Sequence, residues 1–196
     1  VFTKRTGDDV NCADNYYHNI GKYRKLKLCS AENEEQNKKR TAPLINSFSS
    51  EDLGAFYTEM EDILNQMKED GAEYTIAYMH WGVEYDTEGT SEQREMAQKL
   101  CDLGVDAIIG SHPHVIQPVD LLTSTDGSHQ TVIAYAIGNQ VSNQRQEYMQ
   151  GYSDYGHSED GYMVELTIKR NAEGKISLEN ADFIAAEDTR VTLKLL

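Results

Sequence analysis

The chain has 196 residues, enough to bury a substantial core in one domain or in two small ones. Its 33 acidic side chains outnumber 18 basic ones, for a formal net charge of −15, which argues against a nucleic-acid phosphate backbone or an anionic bilayer surface as partner. Hydrophobic residues make up 39%, so long solvated loops are expected around the core. Residues 1–50 are polar and weakly periodic, with 1–3 and 26–28 as candidate short edge strands and 32–40 as a solvated charged stretch. Ser49 or Ser50 is placed to cap a helix running to about Asp70, with Glu51 and Asp52 in its first turn. Leu53, Phe56, Met60, Ile63, Leu64 and Met67 recur at helical spacing along it, and Gly71 stops it. A buried strand over 74–79, a second helix over 91–103 and a strand over 105–109 read as a parallel crossover. Residues 115–122 are expected to be extended, and 131–137 to form another buried strand ending at Gly138-Asn139. Residues 142–160 are too polar to build a core and read as a long, weakly ordered loop near the site. Short strands over 162–168, 176–178, 181–185 and 191–195 close the chain, giving α/β in the middle and antiparallel β at the C-terminus.

The chemistry concentrates in Gly110-Ser111-His112-Pro113-His114, directly after an apolar strand. Two histidines one residue apart share a face if the backbone is extended, and Pro113 biases His112 toward that geometry. His80 ends another apolar strand, so three imidazoles are expected to meet at strand C-terminal ends, where open α/β sheets place ligands. Imidazoles in such a group are candidate metal ligands. Trp81, the only Trp, reads as a packing residue. Glu84 is placed to orient an imidazole or to be a solvated acid, Asn139 to bond a ligand or to end its strand, and Arg145 to bind an anion or to lie on the surface. His18, His129 and His157 sit in polar stretches and default to solvent. Cys12, Cys29 and Cys101 make no C-x-x-C pair, which disfavours a thiolate zinc site; Cys101 reads as packed, and a Cys12–Cys29 disulfide has only proximity in its favour.

The runs His80-Trp81-Gly82-Val83-Glu84-Tyr85, residues 103–118, Tyr135-Ala136-Ile137-Gly138-Asn139, Ser142-Asn143-Gln144-Arg145 and Glu159-Asp160-Gly161 together resemble the bacterial capsule synthesis family of poly-γ-glutamate production, the CapA or PGA_cap family. That family in turn resembles the calcineurin-like metallophosphoesterases, four-layered α-β-β-α sandwiches with two metals at the sheet ends. The resemblance implies that His80, His112 and His114 hold divalent metal (Mn, Fe, Zn or Mg), with His80 and His114 also catalytic, and that Glu84, Asn139 and Arg145 bind substrate or support the ligands. It also implies metal-assisted phosphoester hydrolysis, in which two cations acidify a bridging water and a histidine protonates the leaving group.

The superfamily's aspartate, bridging carboxylate and Asn-His pair should precede His80. Asp8, Asp9, Asp14, Asn15 and His18 are the only clustered candidates there, and they follow no strand of the expected kind. Residues 1–196 therefore read as a single domain that is the C-terminal part of a longer one, with a polar region over 1–50, a motif-bearing core over 51–170 and an incomplete metal centre. The implied partners are other capsule or polyglutamate synthesis proteins and an anionic polymer or phosphoester. The implied location is extracytoplasmic, at the cell surface or attached to a membrane through a segment outside this chain. No phosphate-cradling Gly-x-x-x-x-Gly-Lys-[Ser/Thr] loop occurs, which disfavours ATP-dependent ligation by this chain alone. The rival reading is a non-catalytic binding or assembly module of polymer export machinery.

Overall fold

The computed structural model describes residues 2–4, 46–140, 142, 144, 157–185 and 190–194. A six-stranded sheet is built from β1 (Phe2–Lys4), β2 (Asn46–Phe48), β3 (Ile76–His80), β4 (Ala107–Ser111), β5 (Val119–Thr123) and β6 (Gln130–Ala134), in the order β2-β1-β3-β4-β6-β5. All its pairings are parallel except β5 with β6. A second, antiparallel sheet holds β7 (Tyr162–Arg170), β8 (Ile176–Ala185) and β9 (Arg190–Lys194) in sequence order. Helices α1 (Leu53–Glu69) and α2 (Ser91–Asp102) precede β3 and β4.

Strand periodicity divides the core in two. Ala77, Met79, Trp81, Ile108, Ile133 and Tyr135 pack against Phe56 and Met60 of α1 and Met96, Ala97 and Leu100 of α2. Their neighbours Ala107, Ile109, Val132 and Ala134 point the other way, onto Tyr162, Val164, Ala181 and Phe183 of the second sheet. The layers are therefore helices, mixed sheet and antiparallel sheet, the α/β class expected from the sequence.

The local departures have physical reasons. Asp52, rather than Ser49 or Ser50, caps α1 by accepting from the Ala55 amide at 3.0 Å, because the helix starts two residues later than its serines suggest. Thr90 and Gln93 form a reciprocal capping box on α2. Strand β1 is not an edge; it lies between β2 and β3, and β2 itself was not anticipated. Residues 176–178 and 181–185 join into one ten-residue strand, which absorbs its break as a register shift opposite Thr167 and Ile168. Regular pairing after the histidine turn begins only at Val119. Residues 26–28, the 32–40 stretch and Cys12 and Cys29 lie outside the described residues, while Cys101 is buried as expected.

Behind the histidines the backbones close in. A Cβ on Gly110 would stand 1.8 Å from the Tyr135 carbonyl oxygen and 2.6 Å from Trp81 Nε1. The indole Nε1–H instead donates to that carbonyl at 2.9 Å, so Trp81 is fully buried with its polar atom satisfied. Gly110→Ala is expected to cost about 3 kcal/mol or more, since rigid backbone rather than a movable side chain blocks the methyl. Urea unfolding measures it, and a loss below about 1 kcal/mol would contradict this packing.

Candidate functional site at the strand ends

His80 and Ser111 are register partners at the C-terminal ends of β3 and β4. They lie in the same alternating set as Ile76 and Ile109, on the face turned away from the helices. Beyond Ser111 the chain does not continue extended. His112 has φ 103° and His114 φ 60°, so the expected shared-face geometry is corrected to a tight turn with left-handed backbone at both histidines. The turn is held from across the site, where the Tyr85 amide donates to the Pro113 carbonyl at 2.7 Å. Tyr85 itself has φ 64°. Three non-glycine residues in a costly conformation within one cluster is the kind of strain that accumulates where geometry serves function.

The turn brings the three imidazoles together all the same. Ring centroids of His80 and His112 are 4.7 Å apart, those of His112 and His114 6.2 Å, and Tyr85 stands 6.0 Å from His114. Hydrogen bonds at Nδ1 bear on the tautomers of two of the rings. Ser111 Oγ is 3.3 Å from both the Met79 carbonyl and His80 Nδ1; when it donates to the carbonyl, it accepts from Nδ1–H. In that arrangement His80 carries its proton on Nδ1 and leaves Nε2 a lone pair. Asn139 Nδ2 is shared among the carbonyl oxygens of His114, Gln144 (side chain) and Ser158, the last at 2.8 Å. Its Oδ1 accordingly accepts from His114 Nδ1 at 3.0 Å, the arrangement that in a neutral ring leaves the lone pair on Nε2. Glu84 Oε1 lies 3.8 Å from His114 Nε2, within ion-pair range and beyond a hydrogen bond.

Asn139 is thus a positioning residue for His114. It is held where the two sheets meet: Gly138, at φ 71°, lets the chain approach Asp160, whose carbonyl would be 2.3 Å from an added Cβ. Ser158 Oγ also donates to the Gln144 carbonyl, so two described residues of the expected loop pack against Asn139. Arg145 and most of 142–160 lie outside the described residues. His157 is exposed beside Asp160, as expected. His129 is not left to solvent; it is half-buried, with its Nε2 3.0 Å from the Val105 carbonyl.

Among the described residues, no group of three or more His, Cys, Asp or Glu side chains is arranged to hold a metal ion. The rings of His80 and His112 are close enough to share a ligand, and Glu84, the acid paired with His114, is more than half exposed. These residues alone do not amount to a two-metal centre.

An α-β-β layered protein with imidazoles gathered at its parallel strand ends is the class these features define. Residues 10–144 match the family described as bacterial capsule synthesis protein PGA_cap, and the chain belongs to that family. It is 32% identical over 111 residues to the PGA biosynthesis protein CapA of Bacillus subtilis (strain 168), covering 57% of this chain and 25% of that protein. It is 36% identical over 77 residues to the capsule biosynthesis protein CapA of Bacillus anthracis, covering 39% of this chain and 17% of that one. The chain therefore spans about a quarter or less of the curated relatives it matches.

Burial, reinforced by the nearby His112 and His114, pushes the His80 imidazole down to about 4. The unfolded chain would take up this proton near pH 6.5. His80 therefore contributes stability that is full above that pH and lost as the pH falls from about 6.5 to about 4, on the order of 1–3 kcal/mol. NMR titration of the His80 ring, with His80→Phe removing this part of the acid sensitivity, measures the effect; a midpoint at or above 6 would refute it.

Proposed function

We propose that this chain is part of a capsule or poly-γ-glutamate biosynthesis protein whose histidine cluster lines a hydrolytic site for a phosphoester or other anionic substrate. The observation that carries the reading is the convergence of His80, His112 and His114 at the ends of adjacent parallel strands, with two Nε2 lone pairs left open. In this reading His80, kept neutral by burial, accepts a proton through Nε2. His114, oriented by Asn139, holds or protonates the group next to it, and Glu84 steadies it if it becomes charged. A divalent ion (Mn, Fe, Zn or Mg) would supply Lewis acidity and an activated water, but only with oxygen ligands from residues other than those described. Arg145 is kept as a proposed anion contact. Membership of the capsule synthesis family, with relatives in capsule and PGA biosynthesis, supports a place in capsule formation at the cell surface, with other capsule-synthesis proteins as partners. No described helix is long and apolar enough to cross a membrane.

A second reading, a non-catalytic module that binds or assembles polymer-export components, is favoured by the absence of a three-donor ligand set among the described residues. Metal titration of the 196-residue chain, with and without the rest of its protein, separates the two when combined with a generic phosphodiester assay. The hydrolase reading expects weak metal binding by the chain alone, a gain in both affinity and turnover for the whole protein, and loss of at least about tenfold of that gain in His112→Ala. Metal-loaded whole protein with no turnover on any phosphoester supports the module.

A further inference from the structure

At the opposite end of the six-stranded sheet, where β3 and β4 begin, a cleft of about 460 Å³ opens between the two sheets. Its lining includes Tyr74, Asp106, Ser128, His129, Lys175 and Ser177. The volume suits a small ligand. It is separate from the histidine cluster, which leaves the other ends of the same strands.

Three features give the cleft a charge pattern. Asp106 Oδ2 is held by the Thr75 amide at 2.7 Å and its hydroxyl at 3.1 Å, which fixes the carboxylate. Asp106 is partly exposed in the cleft lining, and beside its Oδ1 the His129 Nε2, 3.9 Å away, is committed to the Val105 carbonyl. The Tyr74 hydroxyl is buried without a hydrogen-bond partner among the described residues. Burial, with the charge of Asp106, raises its pKa, so it remains a donor waiting for an acceptor. Lys175 is exposed on the β7–β8 hairpin, whose turn is fixed by Asn171 Oδ1 accepting from the amides of Glu173 and Lys175. An anchored carboxylate, an unsatisfied phenol donor and a lysine around one small cavity ask for a ligand with a cation and an anion a few bonds apart.

We propose that this cleft binds the head group of an α-amino acid, with its ammonium on Asp106 and its carboxylate on Lys175 and the Tyr74 hydroxyl. The choice of glutamate as the amino acid rests on the polyglutamate reading above. In a γ-linked glutamate chain only the amino-terminal residue keeps both a free ammonium and its α-carboxylate, so free glutamate and the amino end of the polymer present the same head group.

Calorimetry on the protein with glutamate, a γ-glutamyl trimer, glycine and N-acetylglutamate tests this. Glutamate should bind saturably, and N-acetylglutamate, which lacks the ammonium, at least about tenfold more weakly. Asp106→Asn, whose amide oxygen can still accept from Thr75, should lower glutamate affinity about tenfold or more, and Tyr74→Phe about fivefold. Lys175→Ala lies on an exposed hairpin and serves where the other variants unfold; it should also weaken binding several-fold. Trimer binding equal to that of glutamate identifies the polymer end as a ligand source. Binding of glycine and glutamate without the trimer supports the head-group site and counts against the polyglutamate reading alone. Equal affinity for glutamate and N-acetylglutamate, unchanged affinity in folded Asp106→Asn and Lys175→Ala, or no saturation by about 10 mM glutamate overturns the proposal.

Discussion

The missing side chain of Gly110 is the constraint on which the rest depends. Because nothing projects from its Cα, the Tyr135 carbonyl of the neighbouring strand segment can sit against it and accept a hydrogen bond from the Trp81 indole N–H. Two backbone bonds complete the lock: Trp81 N to the Ser111 carbonyl at 3.1 Å and Ile137 N to the Gly110 carbonyl at 3.1 Å. The three chain segments that carry His80, His112 and Asn139 are thus tied together within a residue or two of where those side chains leave the sheet. A histidine cluster on three independent loops would have to be ordered at the cost of each loop's conformational entropy; here much of that ordering is already supplied by the core.

A second tie works one shell out. Gln93 of the α2 capping box donates to the Gln117 side-chain oxygen at 2.8 Å, and Gln117 donates to the Asp86 carbonyl at 2.8 Å. Both amides are buried, and a buried amide without partners would cost several kcal/mol. Satisfied, they link the loop after His80, the start of α2 and the segment after His114. The strained backbone at Tyr85, His112 and His114 is flanked by these anchored segments, which is how costly φ values persist in a stable fold.

The order of elements was legible because period-2 and period-3.6 apolar patterns are strong over residues 53–134, and the packing obeys them residue by residue. The meeting of the histidines was legible for a partly wrong reason. Strand ends brought them together, but the His-Pro-His turn converges through left-handed backbone, which a Pro-based expectation of extended structure does not foresee. The Asn139–His114 bond is a contact across 25 residues, and local pattern left Asn139 open between ligand contact and strand end. The buried Gln93–Gln117 pair and the Asp106–Thr75 anchor were missed altogether. Such residues look like ordinary surface polars until the fold encloses them, and only the Thr-x-x-Gln spacing at the head of α2 hinted that Gln93 had a structural task.

Charge sharpens the functional argument. In a chain with net charge −15, the background field favours protonated imidazole. At His80 burial and two neighbouring histidines overcome that field and hold the ring neutral. The contacts with Ser111 and Asn139 suit Nδ1–H on neutral His80 and His114 rings, an arrangement that leaves their Nε2 atoms as acceptors. Lone pairs held in this way suit a proton or a cation better than a bare anionic substrate, which an excess of negative charge already repels. An anionic polymer or phosphoester would therefore need positive charge at this site, whether from an ion, a protonated imidazole or a basic side chain. Supplying that charge is what would separate a hydrolytic site from a passive one.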